Sequence, residues 1–354
     1  MPSRDRKTLG NSALLAAICL LMFAPVARAA VTYTVTFDDP THLYAPYYDG
    51  IRRNLLAAGA DWGRHFDAAT VIRIRVRFDA EPTMSSGSTS TAFAGTFEGK
   101  NVYEMRAAAK LLGHVSADDP RDDAVLNIGI GRGAGDPDGY LLKSLWFDPE
   151  PARRTAAVPH DRSDAYSGFL HELGHIFVFN GFLDPRTGAA DPAIGISTFD
   201  RNVRFRRHTA GGHHMVDFFF TGPAARALYG RDVPLTSGCY AHFGNAAPRP
   251  GGDLVSYNQL EVMNGVTGYQ GTRYQLSPLD LAVCADAGLP VLPWELTVAP
   301  PAPPQPAAPP PAARLDRVAP SPGDWLRWAI PWVILIAIAY VITVAATRLR
   351  QRIE

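Results

Sequence analysis

Three residues within five positions have the types and spacing to hold a metal ion and activate water: His171, Glu172 and His175, in the run HELGH. On a helix, positions four apart share a face, so the two imidazoles can be presented to one ion. Glu172 falls about 100° further round, beside that ion and not on it. There it can take a proton from a metal-bound water and pass it to a leaving amine. Zinc lowers the pKa of such a water to about 7, so the spacing suits hydrolysis at neutral pH. The competing reading is two structural histidines beside a surface glutamate.

A catalytic zinc needs a third protein ligand and one position open to water. The histidines downstream are His208, His213, His214 and His242, and the downstream glutamates are Glu261, Glu295 and Glu354. None of these glutamates sits in a convincing helix, which argues against a carboxylate ligand carried on a following helix.

The elements that must position these residues can be read from periodicity. The segment from about Ser163 to Asn180 is an apolar helix, and Asn180-Gly181 is a natural stop. Before it, VTYTVTF, Val71 to Phe78 and Ala124 to Ile130 have the patterns of strands. Tyr48 to Phe66 and Val102 to Gly113 have helical spacing. After the central helix the chain reads as loop-rich until short helices at Gly222 to Tyr229 and Pro278 to Ala287. Strands that cluster before the central helix without regular alternation give an α+β pattern. The run GIGRGAGDPDG fails as a dinucleotide fingerprint because no βαβ unit follows it, so it reads as a loop. Its aspartates, with Asp122 and Asp123, offer a minor calcium reading.

Composition narrows the classes. The 354 residues carry 34 basic and 34 acidic side chains, with no basic stripe to suggest a nucleic-acid partner. Residues 1–29 have the layout of a secretory signal peptide: Arg4, Arg6 and Lys7, an apolar stretch, then Ala27-Arg28-Ala29. Residues 30–298 would form the catalytic domain, with lobes of about 30–182 and 183–298. A Pro/Ala-rich linker covers 299–323. Residues 325–347 read as a transmembrane helix, and 348–354 as a basic cytoplasmic tail. This layout implies an exported protein held at the membrane, its folded part on the extracytoplasmic side. Cys239 and Cys284 would remain after leader removal, as one disulfide or as two buried thiols. No feature bears on oligomeric state.

The order of features resembles the metzincin zinc metalloproteases, specifically the leishmanolysin-like branch and its bacterial secreted relatives. The commoner short metzincin motif fails here, because Val178 and Gly181 stand where a glycine and the third ligand would be. The leishmanolysin-like branch places a long insertion before its third histidine. His242, in CYAHFG and 67 residues after His175, fits that arrangement. Met263 in LEVMNG resembles the methionine turn under the zinc. FTGPAARALYGRDVPL and LSPLDLAVCADAGLPV resemble the bacterial insertion and the closing helix.

The resemblance implies a two-lobed metzincin-like α+β domain with a central zinc-binding helix, to which the sequence adds the C-terminal transmembrane helix. It implies Zn2+ on His171, His175 and His242, Glu172 as the catalytic residue, and a protein or peptide substrate paired with a sheet edge near Leu126 to Ile130. With Val178 in the glycine position, Asn180-Gly181 must turn the chain slightly later. The alternative from another class is a cell-surface binding or adhesion module with a structural zinc site and no proteolysis.

Overall fold

Strand β1 (Val31–Asp38) turns Val31, Tyr33, Val35 and Phe37 inward and leaves Thr32, Thr34, Thr36 and Asp38 exposed, the two-residue alternation of a sheet with one wet face. A computed structural model of the chain describes residues 30–80, 84–130, 143–210, 213–236, 238–244, 261–265 and 270–293, all within one compact unit. Helix α1 (Tyr48–Gly63) buries Ile51, Leu55, Ala58 and Trp62, a single face at helical spacing. Strand β2 (Thr70–Asp79) buries Ile72, Ile74 and Val76, while Arg73, Arg75 and Arg77 line its outer side.

Next come β3 (Met84–Ser88), β4 (Thr91–Phe97), β5 (Lys100–Met105), α2 (Arg106–Leu111) and β6 (Ala124–Gly129). The main sheet has the order β1-β2-β6-β3; β1, β2 and β6 run parallel, and β3 pairs antiparallel with β6. Strands β7 (Leu145–Trp146) and β8 (Ser163–Asp164) lead into the central helix α3 (Ala165–Phe177). Beyond it lie β9 (Ile196–Ser197), β10 (Val203–Ala210), β11 (His213–Phe220), α4 (Pro223–Tyr229), β12 (Val233–Pro234) and α5 (Pro278–Asp286). Strands β4, β5 and β9 make one small mixed sheet, and β10, β11 and β12 an antiparallel one.

Helices α1 and α3 pack on the inner face of the main sheet. Trp62 Nε1 donates to the Leu170 carbonyl at 2.8 Å. The Phe66 and Phe177 rings meet edge to face at 5.2 Å. The core thus grips α3 along most of its length: Phe169, Leu170, Leu173, Ile176 and Phe177 are fully buried. Rigid support of this kind is what a helix carrying metal ligands needs.

Three expectations are corrected. The architecture is α+β with mixed sheets, and among the described residues no helix is long and apolar enough to cross a membrane. The expected C-terminal transmembrane helix is therefore not among the helices the structure describes; residues 325–347, like the leader 1–29 and the linker, lie outside the described residues. The segment Val102 to Gly113 is not one helix. Its first half is β5, paired with β4 and β9, and α2 begins only at Arg106. Lys110 Nζ reaches Asp123 Oδ2 at 2.9 Å and Arg106 Nε reaches Asp123 Oδ1 at 3.0 Å, so α2 is pinned to the start of β6 by buried ion pairs. The stretch after α3 is also less loop-rich than expected, since β10 and β11 form an eight-residue antiparallel pair.

The candidate metal centre

His171 and His175 project from one face of α3, and His242 approaches from the segment after β12. Their Nε2 atoms form a nearly equilateral triangle: 3.1 Å from His175 to His171, 3.2 Å from His171 to His242 and 3.0 Å from His175 to His242. A tetrahedral zinc with bonds of 2.0–2.1 Å holds its ligand atoms about 3.3 Å apart, so the triangle is close to the size zinc requires.

Each ring's other nitrogen shows which tautomer is present. His171 Nδ1 donates to the Val262 carbonyl at 2.6 Å, and His175 Nδ1 to the Phe179 carbonyl at 2.6 Å. His242 Nδ1 faces both the Cys239 carbonyl and the Cys239 sulfur at 3.2 Å. A carbonyl only accepts, so each Nδ1 carries the hydrogen and each Nε2 presents a lone pair to the other two. Burial keeps the rings neutral: desolvation holds His175 at about 4 and His242 at about 3, and His171 well below the usual histidine value. Three lone pairs facing one another at this distance repel unless a cation sits among them. The donor set therefore fits a bound metal.

Glu172 lies on the same turn with only 6% of its surface exposed. Its Oε2 is buried and has no hydrogen-bond partner among the described residues. Desolvation raises its pKa to about 7. The Ser86 side chain offsets only part of that rise, and a buried carboxyl with one oxygen unpaired beside three imidazoles costs stability and is kept where chemistry uses it.

The strand over this helix is β3, not β6. Ser86 Oγ donates to the Glu172 main-chain carbonyl at 2.8 Å, and Met84 lies against Gly168. The expected edge at Leu126 to Ile130 is corrected accordingly: β6 has β2 on one side and β3 on the other, and β3 is the outer strand.

Met263 is fully buried beneath the helix. A methyl group on Gly174 would overlap its sulfur, so this glycine is required by close approach. Gly174→Ala should therefore destabilise the fold by about 1–3 kcal/mol through overpacking. That outweighs the gain of about 1 kcal/mol that alanine normally brings to a helix. Urea midpoints of the two proteins check the sign. The Met263 carbonyl also accepts from Phe243 N at 2.8 Å, so the methionine turn and the His242 segment are tied together.

Helix α3 ends at Val178, whose φ of −144° any residue can adopt. Val178 and Phe179 both donate to the Gly174 carbonyl, and Asn180 Nδ2 donates to the His175 carbonyl. The chain leaves the helix without a left-handed residue at 178–181. Gly181 is needed because a Cβ there would overlap the Tyr240 hydroxyl.

The other candidate ligands are elsewhere. His208 sits on β10 with Nδ1 3.5 Å from Asp217. His213 and His214 begin β11, opposite Ala210 and Thr209. Glu295 and Glu354 lie outside the described residues. Among the described residues, His171, His175 and His242 are the one group of three with ligand atoms close enough to hold a metal. The calcium reading loses two of its aspartates to cations: Asp123 pairs with Lys110, and Asp122 with Arg75 at 3.3 Å. Cys239 and Cys284 are both free thiols, Cys239 exposed and Cys284 buried.

Comparison with known proteins identifies no relative. No family model, no curated protein and no solved structure matches the chain. The reading of the site rests on its own geometry.

Periodicity and spacing did not reveal a buried carboxyl pair behind the methionine turn. Asp280 closes the capping box of α5, accepting from Ser277 N at 2.8 Å, and the Met263 N–H also donates to it. Burial raises Asp280 from 3.8 to about 7, and burial together with the Asp280 charge pushes Glu261 well up. The folded state thus holds a proton that the unfolded state releases near the ordinary carboxylate value. The associated stability is full below about pH 4 and is lost as pH rises through about 7. Asp280→Asn should flatten that decline, as read from urea midpoints across this pH range.

Proposed function

We propose that the chain is a zinc-dependent endopeptidase of the metzincin type, with a leishmanolysin-like spacing of its ligands. The observation that carries this reading is the pairing of three convergent, neutral Nε2 atoms with a buried Glu172 carboxyl whose Oε2 has no hydrogen-bond partner among the described residues. His171, His175 and His242 would hold the zinc. When bound, zinc supplies a Lewis acid that polarises the scissile carbonyl and makes water more acidic. Glu172 takes the proton from the attacking water and delivers it to the leaving amine nitrogen. A carboxyl held near 7 suits both halves of that task, since it accepts and returns a proton with little driving force either way.

The outer strand β3 supports a polypeptide substrate. Among the described residues no strand pairs with its outer side, which can take an extended chain, and the Ser86 bond to α3 keeps that edge in register with Glu172. The leader-like residues 1–29 support export. The adhesion-module reading is the poorer fit, because a structural zinc site is normally closed by four protein ligands and three are gathered among the described residues.

The test is cleavage of unfolded casein by the purified protein, with and without a zinc chelator. The reading requires cleavage that the chelator stops and added zinc restores. A folded, zinc-loaded protein that leaves casein and a broad peptide library intact would defeat it.

A further inference from the structure

His242 is 67 residues from His175 in the chain, yet its Nε2 sits 3.0 Å from that of His175. Bringing such distant residues to a fixed separation costs loop-closure entropy, and something must hold the result. A hydrogen-bonded path runs between the two ligands. Asn180 Nδ2 donates to the His175 carbonyl, and the Asn180 carbonyl accepts from Ser197 Oγ at 2.6 Å. Ser197 Oγ in turn accepts from Asp200 N at 3.0 Å, and Asp200 Oδ2 accepts from the main-chain N–H groups of Phe182 at 2.8 Å and Ser197 at 2.9 Å. Asp200 Oδ1 accepts from the Tyr240 hydroxyl at 2.9 Å. Tyr240 stands two residues before His242.

The same hydroxyl accepts from the Leu183 N–H at 2.7 Å, and the Tyr240 ring stacks on Phe218 with centroids 4.4 Å apart. Tyr240 and Asp200 are both 4% exposed, so neither hydrogen bond is replaced by water if broken. The space for the hydroxyl exists only because residue 181 is glycine.

We propose that Tyr240 is a positioning residue whose hydroxyl, clamped between Asp200 and Leu183, locks the His242 segment onto the end of α3 and presets the third arm of the metal centre. This rests on the metal-centre reading above and extends it to residues that touch neither metal nor substrate. The insertion between the second and third ligands is, on this account, the frame that holds the third ligand still.

The test is zinc affinity of the folded, metal-free full-length chain, measured by competition with a chromogenic chelator, together with the visible spectrum of the Co(II)-loaded protein. Tyr240→Phe keeps the stacked ring and removes only the hydroxyl. It should weaken zinc binding on the order of tenfold and alter the cobalt spectrum. Gly181→Ala keeps the hydroxyl but displaces it, and should move affinity in the same direction. Wild-type affinity and spectrum in both variants would overturn the proposal while leaving the metal centre standing. So would a lower melting temperature in Tyr240→Phe with unchanged affinity per folded molecule, because the residue would then be merely structural. If Tyr240→Phe does not fold, Asp200→Asn is measured instead, with the same expectation. Absence of zinc binding by the wild-type protein would instead defeat the metal-centre reading.

Discussion

Glu172→Gln protein should bind zinc as tightly as the wild type and cleave casein more slowly by a factor on the order of 10²–10⁴. The substitution keeps the volume and shape of a side chain that is 6% exposed and removes only its ability to take a proton. A structural residue behaves differently when replaced. Here Oε2 has no partner among the described residues to lose and the ionised form is disfavoured by burial, so the variant should melt no lower than the wild type. Loss of turnover with retained metal and retained stability is the signature of a general base. Full turnover in this variant would remove Glu172 from the mechanism.

The second large effect concerns the third ligand. His242→Ala should lower zinc affinity about a hundredfold, taking roughly 3 kcal/mol as one ligand's share of a typical zinc binding energy. His208→Ala, on a strand that does not join the cluster, should leave affinity unchanged. Equilibrium competition with a chelator measures both. If His208→Ala weakens binding and His242→Ala does not, the geometry described here is not the one that binds metal.

Some of this site was legible in the amino-acid sequence, and physics explains which parts. His171, Glu172 and His175 are four residues apart or fewer on an apolar helix, so local periodicity alone places them. His242 depended on resemblance, because nothing local marks which distant histidine a fold will bring near. The groups that orient the imidazoles, the Val262 and Phe179 carbonyls, are main-chain atoms and leave no trace in side-chain identity. Glu104, Arg106 and Lys110 fall in the segment expected as one helix, yet all three are buried, with Arg106 and Lys110 paired to Asp123 and Glu104 to His114. Ladder pairing of Lys100–Met105 with β4 and β9 makes that half a strand, and the ion pairs to Asp123 hold the helix that follows. The β10–β11 pair escaped because Arg204, Arg206 and Arg207 fall on both faces of the strand and blur its alternation. Sheet order, and with it the identity of the edge strand, depends on crossovers that periodicity cannot reach.

The central claim is a three-histidine zinc centre with one position left open. X-ray absorption at the zinc edge of the zinc-loaded protein tests it most directly. The account predicts three imidazole shells and one further oxygen, with all four light atoms at about 2.0–2.1 Å. A sulfur shell at about 2.3 Å, from the Cys239 thiol near His242, would indicate a closed structural site and contradict it.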